Sequence, residues 1–339
     1  MTSTPPEPLI ASHIYPHHSP TSGYGQLCGY LPGRKLLSTD ELFGNAGEGS
    51  LRWRINQRLF DLRILRESRH AKLLHVLYAE NHPSPLFPVI RRLNPAIKLV
   101  GTFHLPLGYR SMKKSLAMLD HFDGIVALTA AHAEEIRRAL PGKKVWFIPH
   151  GRTFDRAHVD PDVSARNPFF DIVTVGSNYR DWMCYGQILK LARPHFPRWR
   201  FHLVGGGERG VYWFGKDPDV ITHPRLTEEE YFNLLNSARA LLLPLKFASA
   251  NNALLEAHSV GLPAVCTDLP GVRDYSVGTT RFFTDAAGAV SQLEQLAALE
   301  DASTSVLRTR TREEGRRFEW PRVAGEVINI YRELAAAGD

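Results

Sequence analysis

Twice along this chain, short apolar runs rich in β-forming residues alternate with stretches of helical periodicity. That order confines the fold to parallel sheet with helical crossovers. In the first half the strand candidates are Leu9–Ile14, Leu73–Tyr78, Lys98–Phe103, Gly124–Leu128 and Val145–Ile148. Between them Leu51, Ile55, Leu59 and Leu62 recur at helical spacing, and Ala130–Leu140 reads as a further helix stopped by Pro141-Gly142. Arg152–Asn167 has no clear period and reads as a connection between domains. A second series follows: Phe170–Val175, Phe201–Val204, Val220–Thr222, Ala240–Leu243, Ala264–Cys266 and Arg281–Phe283. Arg308–Arg317 is charged and helical, Phe318-Glu319-Trp320-Pro321 interrupts, and Val323–Leu334 forms a last amphipathic helix. Two series of similar length predict an α/β chain of two Rossmann-like domains, their parallel sheets facing across a cleft.

A length of 339 residues suffices for two such domains. No apolar run approaches the roughly 18 residues of a transmembrane helix, and the N-terminal stretch lacks the basic start and apolar core of a secretory signal. Cys28, Cys184 and Cys266 are widely spaced; they fit a reducing compartment and make no zinc pattern, so a cytoplasmic location is expected. The net charge of +6 is unevenly spread. Residues 1–160 hold 21 Lys and Arg against 13 Asp and Glu, whereas the remainder is slightly acidic. Arg52, Arg54, Arg58, Arg63, Arg66, Arg69 and Lys72 concentrate on one predicted helix, with Lys113-Lys114, Arg137-Arg138 and Lys143-Lys144 elsewhere. A solvated helix face accounts for this as well as contact with an anionic surface does. The surface such a half would meet is phospholipid headgroup, peripherally at the inner face of a membrane. Nucleic acid is not an expected partner, because no DNA- or RNA-binding motif and no aromatic stacking pattern accompanies the charge.

Ligands of open α/β sheets bind above the carboxyl ends of strands, so residues just after strand candidates carry the chemistry. Ala240–Tyr275 reads as strand, loop, helix, turn and strand, with Glu256 as the acid of its helix and Ser249, Asn251 and Asn252 as candidate caps. A carboxylate near a helix start can accept hydrogen bonds from the two hydroxyls of a ribose, or merely complement the helix dipole. Gly205-Gly206-Gly207 follows a strand and is either a close approach to a ligand or a tight turn. It fails the dinucleotide fingerprint and lacks the P-loop lysine. Gly176–Trp182 follows another strand, and there Arg180 can clamp a diphosphate or pair with Asp181. His104 ends a strand and can donate to a sugar hydroxyl or a phosphate oxygen, although a lone histidine is more often structural. His13, His17, His18 and His150 are weighed the same way, and no spacing among them makes a metal site. Ser22-Gly23-Tyr24-Gly25 either sets backbone N–H groups against a phosphate or is a plain loop.

Taken in order, these pieces resemble the retaining GT-B glycosyltransferases of family four, often called group 1. The resemblance runs over nearly the whole chain and is strongest from Asp171 to Tyr275. Leu203–Arg209 looks like the family's strand and glycine turn. Ala240–Pro244, followed by Asn252–Ala257 and Gly261–Val265, is similar to its nucleotide-sugar signature. Ile148–Gly151 resembles the end of its first domain and Phe318–Leu334 its closing helix. The resemblance implies an acceptor-side domain over residues 1–155 completed by a helix at 320–336, and a donor-binding domain over 165–317. It implies that Glu256 holds the donor ribose, Arg180 the diphosphate, and His104 the donor sugar or its phosphate. Gly23 and Tyr24 would approach the diphosphate. Gly176, Gly205, Lys246, Asn251, Asn252 and Leu255 would complete the donor site.

The implied reaction moves a sugar from a nucleoside-diphosphate sugar, with UDP or GDP as carrier, to a saccharide, glycolipid or lipid-linked acceptor, without metal or cofactor. Two departures stand against it. Ala248 occupies the place of the family's first Glu, and Tyr185 precedes Gly186 where a Lys is common. These keep open an alternative, a catalytically weak or inactive sugar-nucleotide-binding protein or partner subunit. A GT-B epimerase lacks its paired acids, and a nicotinamide dehydrogenase lacks its glycine fingerprint.

Overall fold

A computed structural model of the chain describes residues 7–13, 23–38, 50–82, 85–107, 111–154, 167–223 and 225–336. It divides into two compact units, Met1–Gly151 with Trp320–Asp339, and Arg152–Glu319.

The first unit runs β1 (Leu9–Ser12), β2 (Arg34–Leu37), α1 (Leu51–Ser68), β3 (Leu73–Val76), α2 (Leu86–Leu93), β4 (Lys98–Phe103), α3 (Met112–Leu119), β5 (Gly124–Ala127), α4 (Ala130–Ala139) and β6 (Lys144–Phe147). Its described strands form one parallel sheet in the order β2-β1-β3-β4-β5-β6. The second unit runs β7 (Phe170–Val175), α5 (Trp182–Ala192), β8 (Trp199–Val204), α6 (Gly207–Phe214), β9 (Val220–His223), α7 (Glu228–Ser237), β10 (Ala240–Leu243), α8 (Asn252–Ser259), β11 (Ala264–Thr267), α9 (Pro270–Arg273), β12 (Arg281–Phe283), α10 (Ala286–Ala297) and α11 (Asp301–Gly315). Its sheet is again parallel, in the order β12-β11-β10-β7-β8-β9. A final helix, α12 (Trp320–Ala336), belongs to the first unit.

The strands are nearly continuous apolar runs because both faces of each sheet are covered. Alternate residues serve opposite faces. In the second unit Ile172, Phe201, Leu242 and Val265 share a core with Tyr185 and Ile188 of α5 and Leu293 of α10. Their neighbours Val173, Leu241, Leu243 and Cys266 share another with Leu235 of α7 and Leu254 of α8. Buried polar groups are tied in. Arg308 of α11 is 1% exposed, and its guanidinium donates to the carbonyls of Ala238, Asn236 and Val260 at 2.9, 2.9 and 3.1 Å. It closes the ends of α7 and α8 rather than facing water, as a charged helix would suggest. In the first unit α12 is anchored where the Tyr331 hydroxyl meets His75 Nδ1 at 2.6 Å, with Thr102 on the far ring nitrogen at 2.9 Å. Gly151 lies so close to the Trp320 ring that no side chain fits there.

Lys98–Phe103, Phe170–Val175, Ala240–Leu243 and Arg281–Phe283 have the bounds expected from sequence, and the other expected strands shift by one or two residues. Ile14, His17 and His18 lie outside the described residues. The sequence reading misses β2, an edge strand whose RKLL pattern is half exposed. It also misses α2 and α3, of eight residues each, too short to show a period. The basic helix ends at Ser68, leaving Arg69 and Lys72 beyond it, and α11 begins at Asp301 rather than Arg308.

Candidate functional site

Strand order creates the site in the second unit. The chain leaves β7 toward β8 and leaves β10 toward β11 on the other side, yet β7 and β10 are hydrogen-bonded neighbours. Connections from adjacent strands that depart in opposite directions leave a crevice at the carboxyl ends, the topological switch point. The two loops there are stitched together. Asp181 N–H donates to Pro244 O and Lys246 N–H to Tyr179 O, each at 2.9 Å, and Arg180 bridges Leu245.

Arg180 brings a cation to this crevice. Its Nε donates to Val175 O at 2.9 Å, one terminal nitrogen to the same carbonyl, and the other to Asn178 O at 3.0 Å. The alternative, a pairing with Asp181, does not occur. Asp181 caps α5, accepting from Cys184 N–H at 3.1 Å. The guanidinium lies against Gly176, whose φ of 77° and missing side chain give it room. Burial lowers the Arg180 pKa to about 10, which leaves it charged at neutral pH. Gly207, at φ 63°, brings the turn after β8 against Ser177, where a Cβ would sit 2.9 Å from the serine's. Gly205, at φ 58°, donates its N–H to His223 O at 3.1 Å and makes the turn itself. Tyr179 holds a φ of 57°, rare for a residue with a side chain and typical of strained loops at functional sites. The result is a cavity of about 700 Å³ lined by Ser177, Tyr179, Arg180, Trp213 and Lys246 among others. The Lys246 side chain is exposed.

Glu256 lies one turn into α8, near the helix start. Asn251 is the cap, its side chain accepting from Leu254 N–H at 3.2 Å; Ser249 and Asn252 do not take that role. The Glu256 side chain is 12% exposed. One oxygen accepts from the Tyr231 hydroxyl at 2.6 Å, and the other stands 3.6 Å from the Arg152 guanidinium, which lies over the Phe232 ring. Burial raises the Glu256 pKa, opposed by Arg152 and Tyr231. Sequence reasoning missed Tyr231 and Arg152, which are 25 and 104 positions away and follow no motif. One expectation needs correction. Leu255 is fully buried in the core, and its N–H already bonds Asn251 O, so neither its side chain nor its N–H is open to a ligand. Tyr185, at the place where the family commonly has a Lys, is a core residue packed on Phe201 and Phe214.

In the first unit the same rule selects the loops after β1 and β3, whose chains also diverge. His104 directly follows β4, beside them. Its Nδ1 and its backbone N–H both approach Glu80 Oε1, at 3.2 and 2.9 Å, and its ring stacks on Tyr78. Burial would raise the Glu80 pKa, but the charge and hydrogen bonds of His104 outweigh it and hold the pKa down. Glu80 escaped notice in the sequence, although its place just after a strand is the available signal. Gly23, at φ 87°, opens a 3₁₀ turn. The Tyr24 ring is buried among Tyr78, His104, His150 and Trp320, and its N–H donates to the Tyr78 hydroxyl at 3.1 Å, so that N–H is engaged within the unit. His13 stacks on His82, and His150 Nδ1 donates to the Gly151 carbonyl at 2.7 Å. Among the described residues no three His, Cys, Asp or Glu side chains gather as a metal site, and no helix is long and apolar enough to cross a membrane.

Residues 171–300 match the family model described as glycosyl transferases group 1. A search of curated proteins finds no match. Among solved structures, sucrose-phosphate synthase from Thermosynechococcus elongatus is 16% identical with a TM-score of 0.71, over 98% of this chain and all of that one. The Anabaena protein Alr3699/HepE, solved with UDP and glucose, is 11% identical with a TM-score of 0.67, over 96% and 99%. An α,α-trehalose 6-phosphate synthase from Burkholderia multivorans is 11% identical with a TM-score of 0.70, over 98% and 97%. These matches establish the fold over the whole chain.

Proposed function

We propose that this chain, a group 1 glycosyltransferase by its family match, is a retaining, metal-independent enzyme. It moves a sugar from a nucleoside-diphosphate sugar to a saccharide, glycolipid or lipid-linked acceptor. The observation that carries the reading is the stitched pair of loops at the switch point of the second unit. They present Arg180 and Lys246 to one cavity beside two glycine turns of positive φ. Departure of the leaving group builds negative charge on the diphosphate, and fixed cations and backbone dipoles stabilise that charge most in the transition state. Lys246 supplies the second cation that Tyr185 does not. Glu256 takes the ribose hydroxyls, with Tyr231 and Arg152 orienting its carboxylate. Binding of UDP-glucose or UDP by structural neighbours supports a nucleotide carrier.

The test is a thermal-shift panel of UDP, GDP, ADP and TDP. The preferred nucleotide at 100 times its Kd is expected to stabilise the native state by about 2.7 kcal/mol. For a unit of this size that is a rise of several degrees in Tm. Glu256→Gln is expected to cut the response sharply. A flat response to all four nucleotides would sink the donor site.

Tyr185 in the core and Ala248 in the signature favour a second reading, a sugar-nucleotide-binding protein without transfer activity. Release of free nucleoside diphosphate from a donor sugar, lost in Arg180→Ala, decides for the enzyme.

The site of work in this reading is cytoplasmic, peripherally at an anionic membrane. Helix α1 leaves Leu51 73% and Leu62 60% exposed among Arg52, Arg54, Arg58 and Arg66, the pairing of apolar and basic groups that suits a headgroup layer. Vesicles containing anionic lipid are expected to retain the protein at low salt and release it as salt rises. Equal retention by neutral vesicles would remove the membrane from the proposal.

A further inference from the structure

Glu256 and Arg152 form an ion pair largely out of water, their side chains 12% and 8% exposed. The guanidinium stands 3.6 Å from Oε1, beyond the roughly 2.7–2.9 Å of a charge-assisted hydrogen bond. What Arg152 gives this oxygen is therefore charge, and the lone pairs of Oε1 are left for other donors. The hydrogen bond comes from Tyr231, to the other oxygen, at 2.6 Å. Arg152 is held in place without a ligand. Its N–H donates to Phe318 O at 2.8 Å, its backbone bridges Glu319, and its guanidinium lies 5.1 Å from the centre of the Phe232 ring.

A buried carboxyl moves toward its neutral form unless a cation opposes it. Burial and Glu228, at the start of α7, favour the neutral form of Glu256. Arg152 and the Tyr231 hydroxyl favour the carboxylate, Arg152 more strongly. Arg180 is felt by Tyr231, and Arg312 of α11, the other helix packed on α8, is turned to the carbonyls of Ser259 and Phe154. The form matters to a ribose. A carboxylate offers acceptors alone, enough for Tyr231 and two further hydroxyls, whereas a protonated carboxyl turns one of its oxygens into a donor.

We propose that Arg152 sets the acid limit of donor binding: its fixed charge keeps Glu256 the carboxylate that two ribose hydroxyls require. This rests on the transferase reading above and adds to it a role for charge beyond orientation. Arg152 is a positioning residue, acting through Glu256 and touching no reacting atom. Without it the carboxyl takes up a proton at higher pH, and that proton must leave before the ribose binds. Affinity then falls as pH falls through this titration, by about tenfold per pH unit below its midpoint.

The experiment is calorimetric titration of the full chain, from pH 8.5 to 6, with the nucleotide that the thermal-shift panel prefers. Affinities of Arg152→Gln and Arg152→Lys are taken as ratios to wild type at each pH, so that titration of the nucleotide's own phosphate cancels. Arg152→Gln is expected to bind close to wild type at pH 8.5 and about tenfold or more below it at pH 6, since an opposite charge at this distance moves a carboxyl by roughly 1–3 pH units. Arg152→Lys is expected to restore the wild-type ratio across the range. Thermal melts at pH 8.5 establish that each variant is folded, and Arg152→Met, which keeps bulk over Phe232, replaces Arg152→Gln where that variant is not. Buffers of different ionisation enthalpy read the proton itself. Near pH 6 the neutral variant is expected to release more protons on binding than wild type, and adding Glu256→Gln is expected to remove the excess. Absence of binding by wild type at every pH defeats the donor reading. Binding by wild type with a ratio for the neutral variant that stays constant across pH, with no excess proton, or with a slope that Arg152→Lys does not reduce, overturns the role of Arg152 and leaves the donor reading standing.

Discussion

Arg180→Ala is expected to lower kcat/KM for the donor by about two to three orders of magnitude, the loss typical of removing one preorganised donor from a developing charge. The physical basis is the immobility of this side chain. Its guanidinium is held by the carbonyls of Val175 and Asn178 and lies against a glycine, so little reorganisation is needed when charge builds on the diphosphate. The variant also loses those carbonyl contacts, at a cost to stability of about 1 kcal/mol each. Arg180→Lys separates the two effects. A point charge without the planar fork restores part of the rate and little of the carbonyl bonding. Steady-state kinetics with a nucleotide sugar, paired with thermal melts, reads both. Wild-type rates in Arg180→Ala would remove this residue from the reaction.

Mild acid is expected to unfold the first unit before the second. Burial lowers the pKa of His13 and His75 to about 3 and that of His132 to about 4 in the first unit, with His82 adding to the effect at His13. In the second unit burial does the same to His258, to about 4. Each ring is neutral in the native state but takes a proton near pH 6.5 once unfolded. The unfolded state therefore binds more protons between pH 6.5 and 4, and stability falls as pH falls through that window. Each such histidine contributes a slope of about 1.4 kcal/mol per pH unit. Three in the first unit give roughly 4 kcal/mol per unit, against total stabilities of about 5–15 kcal/mol for a domain. Asp171, whose pKa is held down by His202, Arg200 and Asn167 against the opposing effect of burial, adds acid sensitivity only below its unfolded value near 3.8. Melts from pH 7.5 to 5, with the unfolding unit identified by pulse proteolysis, measure the difference. His132→Leu should flatten the first unit's slope by about a third. A first-unit melting point constant across that range would contradict the argument.

The parts of this molecule legible in the sequence are those governed by local pattern. Predominantly apolar runs such as Phe170–Val175 and Ala240–Leu243 declare buried parallel strands, because both faces must be covered. Gly176 and Gly205 sit directly after strands, and both, with Gly207, take a positive φ. Arg180, in the loop after β7, was legible for the same reason, since strand ends are where open sheets expose their chemistry.

Partners were not legible. That Asp181 caps a helix instead of pairing Arg180, that Leu255 faces the core, and that Tyr24 spends its N–H on Tyr78 are each decided by side-chain direction. One-dimensional spacing does not carry that information. Residues distant in the chain set the electrostatics of Glu256, where Tyr231 and Arg152 converge on one buried carboxylate. Arg308 looks solvated in the sequence and lies buried on three carbonyls in the fold. The sequence by itself determined two parallel α/β layers and the strand ends at which ligands meet them, because burial and backbone freedom are properties of short segments. Only the tertiary structure decided which polar groups pair and which stay available to a ligand, because hydrogen bonds and desolvation depend on what distant segments bring within about 3 Å.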